Sequence, residues 1–583
     1  MPRFRLALAQ TNPTVGDRGK NARDLLNLAR AAYDQGAQLM VSGELSLTGY
    51  PIEDLALRDN FLEISESSLK SLAEALEAEG MGDMAVVVGH PSGPHKVSSA
   101  ATTLHSPARA TNCASVLAGG HVQATYAKHH LPTYAVFDEF RTFVPGTESL
   151  ILRLGGIDAG LIICEDLWRE DGPVATLTPC PLGLLIVPNA SPFERDKADV
   201  RQPLVARRAQ SMDTHIAYVN IVGGQDDLVF DGDSMIVTPQ GTRTHSGAWF
   251  SEDLVIADLS LPASDTTSSL PPHTVLHEVP DIRQAGEQPL AVAPARVEDD
   301  LHILWAALVT GVRDYVDKNG FASVILGLSG GIDSAVCAAI SVDALGPDRV
   351  FGVGMPSIHS SQHSLDDAAQ LATNLGISYR VKSIKGLVEP FDTQLGLTGL
   401  AAENVQARAR GVLLMALSNG EGHLVLTTGN KSELSVGYST IYGDSVGGFA
   451  PIKDVPKTLV WELARWRNNQ ALTLGLIGPI PTNSIDKPPS AELRPDQKDQ
   501  DSLPDYEILD EILELLVVQG LDAPQIIQQG FEPSLVDDIV SLVSRAEWKR
   551  RQGAIGTRIS SVSFGRDRRL PVTNKLTSFE SPE

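Results

Sequence analysis

Val324-Ile-Leu-Gly-Leu-Ser-Gly-Gly-Ile-Asp-Ser-Ala335 is the stretch on which the reading of this chain turns. Val324–Leu328 is a short apolar run of strand length, and Ala335–Leu345 has the composition and length of a helix. The glycines and serines between them therefore join a strand to a helix. Gly330 and Gly331 permit backbone conformations and close approach that a side chain would block. In the string Gly327, Leu328, Ser329, Gly330, Gly331, Ile332, Asp333, Ser334, backbone amides and the hydroxyls of Ser329 and Ser334 can surround a phosphate at the positive end of that helix. Asp333 repels a phosphate, so its task in such a loop is to hold Mg2+ against the leaving pyrophosphate. The Gly-Lys-Ser/Thr of the Walker loop is missing. A turn that merely caps a helix would explain two glycines and a serine, but not the whole string in this setting.

Outward from the loop the alternation continues. Leu301, Leu304, Trp305, Leu308, Val312 and Tyr315 recur at helical spacing before it, while Val350–Gly354 reads as a strand and Asp366–Leu375 as a helix after it. Strands and helices alternating at this interval predict an α/β fold, a doubly wound parallel sheet with its ligands beyond the carboxyl ends of the strands. Towards the N-terminus, Leu6–Ala9, Leu39–Ser42, Val86–Gly89, Leu161–Ile163, Leu184–Val187 and Tyr218–Val222 read as strands, and Asn21–Gln35 as an amphipathic helix. Between the halves, the Pro/Ser/Thr-rich run from Ser260 to about Ala295 reads as a linker crossing a domain surface. Residues 480–505, rich in Pro, Asp and Lys, read as a long functional loop.

The chain has 583 residues, enough for roughly two to four domains. Its formal net charge of −25 argues against nucleic acid as the main partner, because phosphate backbones need a basic excess. No apolar run approaches the roughly 20 residues that span a bilayer, and Met1–Gln10 alternates like a strand and not like a signal peptide. Cys113, Cys164, Cys180 and Cys337 show no CxxC pairing, so neither a disulfide framework nor a zinc site is expected. A reducing, cytoplasmic setting follows, which also keeps a catalytic thiol usable.

The loop resembles the SGGxDS pyrophosphate loop of the ATP pyrophosphatase superfamily, whose members cleave ATP to AMP and pyrophosphate to activate a carbonyl oxygen. The acceptor is narrowed by Met355-Pro-Ser357 with Ser360-Ser361, Glu403-Asn-Val-Gln-Ala-Arg-Ala-Arg410 and Thr427-Thr-Gly-Asn-Lys-Ser-Glu433. Tyr442-Gly-Asp444, Lys487-Pro-Pro-Ser-Ala-Glu-Leu-Arg494 and Glu547-Trp-Lys-Arg-Arg-Gln552 narrow it further. Together these strings, over about 300–565, resemble the glutamine-dependent NAD synthetases. The resemblance implies that the pyrophosphate loop and Thr428 contact ATP. It also implies that Asn404, Glu433 and Lys549 contact deamido-NAD, and that Asp333 and Glu433 are Mg2+ ligands. Singly, Arg408 or Lys549 would read as a surface charge; their joint occurrence with the other strings lifts them. The amides and guanidiniums of the 404–410 run suit a carboxylate, a ribose or phosphates.

In the first half, Cys164 follows an apolar strand and precedes Glu165-Asp166-Leu-Trp168. A thiol at a strand end can face a pocket and act as a nucleophile, though a cysteine after apolar residues is more often an inert core thiol. Gly43-Glu44-Leu-Ser-Leu-Thr-Gly-Tyr-Pro51 supplies a carboxylate just after a strand, and Lys128-His-His-Leu-Pro-Thr-Tyr134, with Phe137-Asp-Glu139, supplies a cation in a loop. Glu, Lys and Cys in that order resemble the nitrilase superfamily, and specifically the glutaminase domain of NAD synthetases, over about 1–260. The resemblance implies Glu44 as general base and acid, Cys164 as the nucleophile whose sulfur forms the glutamyl thioester, and Lys128 as oxyanion stabiliser. Tyr134, Ser191 and Lys197 match positions that hold glutamine. Glu139 is a candidate to orient Lys128, or a plain surface carboxylate. Two departures stand out: Gly43 replaces the Pro that often precedes the catalytic Glu, leaving the local loop less constrained, and Phe193-Glu-Arg-Asp-Lys197 lacks the usual glycine, leaving open whether Arg195 or Lys197 meets the glutamine carboxylate. His129 and His130 read as loop residues.

The expected organisation is a nitrilase-like α-β-β-α sandwich over 1–260, a linker over 261–297, and over 298–583 a Rossmann-like synthetase domain of the adenine nucleotide alpha hydrolase type. The expected activity is that of a ligase. Glutamine yields ammonia at Cys164, deamido-NAD is adenylated by Mg-ATP, and ammonia passing through the protein interior displaces AMP to give NAD. Partners are then small molecules (glutamine, ATP, deamido-NAD), with no nucleic acid, no membrane and a homo-oligomeric assembly implied by the family. Two rivals are an amidase whose second half merely binds nucleotide, and a non-catalytic NAD or nucleotide sensor. Intact Ser329, Asp333 and Thr428 argue against the first, and the second would keep two sets of reactive residues unused.

Overall fold

The computed structural model describes residues 3–93, 110–264, 270–286, 288, 290, 299–494 and 497–574. The chain divides into two compact units, residues 1–225 with 230–298 and residues 226–229 with 299–583.

In the first unit the strands are β1 (Arg3–Gln10), β2 (Leu39–Ser42), β3 (Ala85–Ser92), β4 (Thr111–Ala118), β5 (His121–Ala127), β6 (Ser149–Leu154), β7 (Ile157–Leu161) and β8 (Leu184–Asn189). They continue with β9 (His215–Asn220), β10 (Val222–Gln225), β11 (Leu228–Asp231), β12 (Met235–Val237), β13 (Arg243–Ser246), β14 (Asp253–Ser260) and β15 (Thr274–Val279). One six-stranded sheet runs β14-β1-β2-β3-β4-β5, and a seven-stranded sheet runs β13-β12-β9-β8-β7-β6-β15. The period-2 alternation of β1 builds both layers of the core. Leu6 and Leu8 pack with Leu39, Val41 and Val87 against Ile151, Leu161 and Ile186 of the second sheet. Ala7 and Ala9 face the other way, onto Leu25, Ala29, Leu69 and Leu72 of α1 (Arg18–Asp34) and α2 (Asp59–Ala78). Truncating a fully buried leucine such as Leu6 to alanine would cost about 2–5 kcal/mol. Asp17 caps α1 by accepting from the Lys20 amide. Short helices α3 (Glu165–Trp168) and α4 (Pro173–Leu177) precede α5 (Lys197–Ser211), which packs on β9 and β12. Helices therefore cover the outer faces of two packed sheets, an α-β-β-α sandwich.

One segment differs from its sequence reading. Thr274–Val279 lies within the linker-like run, yet it pairs in parallel with β6, Thr274 opposite Ser149 and Val279 opposite Leu154. Four of its six residues are Thr, Val or Leu, a strand signal that the flanking Pro and Ser dilute. Residues 265–269, 287, 289 and 291–297 of that run lie outside the described residues, as do 495 and 496 of the 480–505 loop.

The second unit opens with α6 (Asp300–Lys318), capped by Asp299. A four-stranded parallel sheet follows, built from β16 (Val324–Gly327), β17 (Val350–Gly354), β18 (Ser378–Val381) and β19 (Leu424–Val425) in the order β18-β17-β16-β19. The chain moves from β16 outward to β18 and then returns to β19 on the other side of β16. That reversal makes the carboxyl end of β16 the switch point where such sheets bind ligands. Helices α7 (Ile332–Leu345), α8 (Gln362–Leu375), α9 (Lys385–Leu395), α10 (Leu400–Glu421), α11 (Lys431–Val436), α12 (Lys457–Thr473) and α13 (Thr482–Asp486) surround it. The first of these, α7, starts three residues before the expected Ala335, because Gly331 serves as its N-cap and Asp333 lies in the first turn. Further along, α14 (Tyr506–Leu513), α15 (Ala523–Gln528) and α16 (Pro533–Arg545) share a core through Leu509, Ile512, Ile526, Ile539 and Val540. The short α17 (Glu547–Arg550) follows them.

Candidate active sites

Three separate loops of the first unit meet at Cys164. Glu44 follows β2, Lys128 follows β5, and Cys164 is the residue before α3. The Glu44 loop is held by Asn21 of α1, which donates to the carbonyls of Thr14 at 2.9 Å and Leu47 at 3.1 Å. Gly43 leaves no room for a side chain: an added Cβ would lie 2.5 Å from Ile221 Cγ2 and 3.0 Å from the Asn189 carbonyl. This corrects the expectation of a looser loop, since packing constrains it where proline would otherwise do so.

Lys128 Nζ donates to Glu44 Oε1 at 2.7 Å and to Glu139 at 2.9 Å, all three residues being buried. Glu139 is thus no surface carboxylate. Asn112 Nδ2 and the Ala190 amide complete the Glu44 shell at 2.7 and 2.9 Å, and the Tyr50 hydroxyl donates to Glu139 at 2.7 Å. Burial alone would push Lys128 down, but Glu139 and Glu44 hold its ammonium well above the usual lysine range. Burial pushes Glu139 up to about 7 against the pull of Lys128. Burial and then Glu44 push the Cys164 thiol well up, with Lys128 opposing. The resting thiol is therefore protonated and needs a base.

Cys164 adopts φ +46°, a strained conformation for a residue with a side chain, at the turn from strand to helix. Asp166, fully buried, ties this turn to the Lys128 loop. It accepts from the amides of Ile163, His129 and His130 at 3.2, 3.2 and 2.9 Å, and from the Tyr126 hydroxyl at 2.7 Å. Tyr134 is exposed, its hydroxyl donating to Glu165 at 2.8 Å beside the thiol residue. Ser191 is buried just after β8. Lys197 opens α5 and donates to the Pro192 carbonyl at 2.9 Å.

In the second unit a cavity of about 650 Å³ opens at the carboxyl end of β16. Gly327, Leu328, Ser329, Gly331, Ile332, Asp333 and Ser334 line it, together with Asn404, Thr428, Glu433 and Lys549. Gly330 alone of the loop string is not among the lining residues. Its φ is +77°, and an added Cβ would lie 2.3 Å from the Ser364 carbonyl oxygen, so it shapes the loop from behind. Ser329 Oγ accepts from the Gly331 amide at 3.2 Å, and Ser334 Oγ donates to the Gly331 carbonyl at 3.0 Å.

Two carboxylates face one ammonium beside this loop. Lys457 Nζ, buried, bonds to Asp333 and lies 3.8 Å from Glu433 Oε1. Asn430 caps α11 by accepting from the Glu433 amide at 3.0 Å, and its Nδ2 donates to Asp333 at 3.0 Å. Burial and Asp333 push Glu433 up to about 8, against Lys457. Clustered hard oxygen donors of this kind suit a divalent cation. Among the described residues no group of three or more His, Cys, Asp or Glu could hold a metal ion by itself, and Asp333 and Glu433 are two hard oxygen donors beside the phosphate loop.

Asn404 accepts from the Thr440 hydroxyl at 2.8 Å, while Lys549 donates to the carbonyls of Gly437 at 2.8 Å and Ser439 at 2.7 Å. Over the loop, Glu492 accepts from the hydroxyls of Ser361 at 3.0 Å and Ser364 at 2.7 Å. Sequence reasoning missed Lys457 and Asn112, and it quoted Asn430 and Asp166 within motif strings without giving them a role. For Lys457 a signal existed: a cation at a helix N-terminus opposes the macrodipole and calls for an anionic partner.

A family model described as carbon-nitrogen hydrolase matches residues 5–268, and one described as NAD synthase matches residues 304–553. The glutamine-dependent NAD(+) synthetase of Thermotoga maritima is 41% identical over 99% of this chain and 99% of its own length. That of Acinetobacter baylyi is 42% identical over 98% of this chain and 99% of its own length. Among solved structures, the glutamine-dependent NAD+ synthetase of Acinetobacter baumannii, in complex with ADP, superposes with a TM-score of 0.72 at 38% identity, covering 98% of this chain and 99% of that one.

Proposed function

The chain belongs to the glutamine-dependent NAD(+) synthetases, and on that premise we propose how its residues divide the reaction. It is a ligase that draws ammonia from glutamine and joins it to deamido-NAD with cleavage of ATP, the last step in making NAD. The observation that carries this reading is that one chain holds both a buried Glu44–Lys128–Cys164 cluster and a pyrophosphate loop facing a cavity of nucleotide size.

In the first unit, Glu44 takes the proton of the Cys164 thiol, which attacks the glutamine side-chain carbonyl. Lys128, held charged by its two carboxylates, stabilises the developing oxyanion. Glu44 then returns the proton to departing ammonia, and water attacks the thioester to release glutamate. Tyr134, whose hydroxyl donates to Glu165, and Ser191 hold glutamine, Glu165 suits its ammonium group, and Lys197 or Arg195 meets its carboxylate.

In the second unit, loop residues 327–334 and Thr428 hold the ATP phosphates, while Lys457 offsets their charge. Asn404, Glu433 and Lys549 hold deamido-NAD, whose nicotinate carboxylate attacks the α-phosphorus. Pyrophosphate leaves, and ammonia then displaces AMP from the adenylate. Asp333 and Glu433 would hold Mg2+, which when bound neutralises phosphate charge. We infer that ammonia moves between sites inside the protein, because in water at neutral pH it would be protonated and lose its nucleophilicity.

No helix of the described residues is long and apolar enough to cross a membrane. Four buried cysteines without disulfides accord with a reducing, cytoplasmic setting, and a homo-oligomer is the assembly we infer from the family. One assay tests the whole reading. Glutamate, AMP, pyrophosphate and NAD should appear in equal amounts from glutamine, ATP and deamido-NAD. Glutamate without AMP would indicate an amidase, and no product at all a sensor.

A further inference from the structure

The geometry points to Asn220 as a positioning residue for glutamine, acting through Ser191 at the end of a buried ion-paired chain that begins at Arg201. The inference rests on the reading of Ser191 as a glutamine-binding residue. Asn220 ends β9, opposite Asn189 of β8, and has no solvent exposure. Its amide grips the backbone of Ser191 on both sides. The Ser191 N–H donates to Asn220 Oδ1 at 2.9 Å, and Asn220 Nδ2 donates to the Ser191 carbonyl at 3.2 Å. The same Nδ2 donates to Asp231 Oδ1 at 2.9 Å. Only one orientation of the amide satisfies all three bonds, because the flipped one would set its donors against an N–H and leave Asp231 facing a carbonyl.

Behind Asn220 the charges are paired and dry. Arg201 donates Nη1 to Asp231 at 3.0 Å and Nη2 to Asp233 at 2.7 Å, and Arg243 closes on Asp233. Arg201, Asp231 and Asp233 are all buried. Burying ion pairs adds little stability over an apolar filling of the same volume. Fixing a direction is what this arrangement does, and Ser191 lies at its end. The neighbouring Ala190 amide donates to Glu44 Oε2 at 2.9 Å, so the segment that Asn220 holds also sets one bond of the general base.

A side chain that merely filled space would affect folding, but not the balance between binding and turnover. Asn220→Ala leaves the Ser191 N–H and carbonyl without partners, and the segment turns. The KM for glutamine should rise about tenfold or more, with a smaller fall in kcat, since leaving a buried donor or acceptor unpaired costs more than making the bond gains. NAD formation from ammonium salts, which uses the other unit, should stay at the wild-type level. Asn220→Asp sets a second carboxylate against Asp231 and should repeat the defect at neutral pH. As pH falls and the introduced carboxyl takes up a proton, it can again donate to Asp231 and accept from Ser191. Its KM relative to wild type at the same pH should then recover.

An unchanged KM in N220A, or a loss confined to kcat, overturns the inference. Should N220A lose ammonium-dependent activity as well, N220D decides: a KM ratio that does not move with pH overturns it. Ser191→Ala separates this inference from the reading beneath it. A normal KM in S191A removes Ser191 from glutamine binding, whereas a raised KM in S191A with a normal one in N220A removes only the role of Asn220.

Discussion

Lys128 Nζ lies 2.7 Å from Glu44 Oε1, and neither side chain has any exposure to solvent. A third charge, Glu139, stands 2.9 Å away on the other side of the ammonium. Lys128 therefore does two jobs, holding the local charge balance and supplying the cation that an oxyanion needs. Lys128→Met leaves two buried carboxylates facing each other. Removing one partner of such a cluster costs about 3–5 kcal/mol, so the first unit should melt earlier and glutamine hydrolysis should vanish. Adding Glu139→Gln should recover much of the stability and none of the hydrolysis. Calorimetry and a glutamate-release assay on both variants separate the two jobs. A double variant as unstable as the single one would show that charge balance is not the cause.

Cys164→Ala should abolish glutamate release and glutamine-dependent NAD formation while leaving NAD formation from ammonium salts near wild type. The thiol belongs to one unit and adenylation to the other. Alanine keeps the strain of φ +46°, so the melting temperature should hardly change, whereas Cys164→Gly should relieve it and raise stability by about 1 kcal/mol. Equal loss with both nitrogen sources would break the two-site division.

Glu139 gives the first unit a pH dependence with a definite sign. Its folded value of about 7 lies above the ordinary 4.5, so between those values the folded state binds more proton than the unfolded state. That contribution to stability is fully present below about pH 4.5, falls as pH rises towards 7, and is flat above. Glu139→Gln removes the group. The stability of E139Q relative to wild type should increase from pH 4.5 to 7 and then level off, as denaturant melts at pH 5, 6, 7 and 8 would show. A constant difference across that range would contradict the raised value.

Lys457 lies outside every motif string but is central in space, since its ammonium bonds to Asp333 and approaches Glu433. Lys457→Met should reduce AMP formation on the order of a hundredfold, the usual cost of losing one preorganised charge at a reacting phosphate, and should leave glutamine hydrolysis alone. Assaying glutamate and AMP in one reaction checks both halves at once.

What was legible in the sequence follows a physical division. Period-2 alternation in Leu6–Ala9 and the strand–loop–helix grammar around Gly327–Ser334 are local, and local patterns survive translation into structure. Glu44, Lys128 and Cys164 could be named because each sits in a recognisable string. Partners made by long-range folding could not be read. Asp166 joins residues about 40 positions apart, and its neighbours in the chain say nothing of Tyr126. Lys549 came with a string that implied a ligand contact, yet its ammonium also carries the carbonyls of Gly437 and Ser439. Gly43 looked like a loosening and proved a packing requirement, because the atom that forbids a Cβ there belongs to Ile221.

The two adjacent glycines of the pyrophosphate loop should respond differently to the same added methyl group. At Gly330 the new Cβ would lie 2.3 Å from the carbonyl oxygen and 2.8 Å from the Cα of Ser364, both backbone atoms at the head of α8. The residue would also have to hold φ +77°, which costs an alanine about 1–2 kcal/mol before any overlap is counted. Ser484 fixes the same peptide by donating to its carbonyl at 3.0 Å, so the loop cannot slide away freely. Gly330→Ala should therefore displace the loop by a fraction of an ångström or more, and misplacement on that scale can cost about a hundredfold in rate. At Gly331 the nearest atom to an added Cβ is Ser329 Oγ at 3.2 Å, the tip of a side chain, and φ is −81°. Gly331→Ala should leave thermal stability within about 1 kcal/mol of wild type, as surface-like substitutions do. Melting curves and AMP formation for the two variants, with glutamate release as the internal control, test the contrast. Equal stability in both would mean that the approach of Ser364 does not shape the loop.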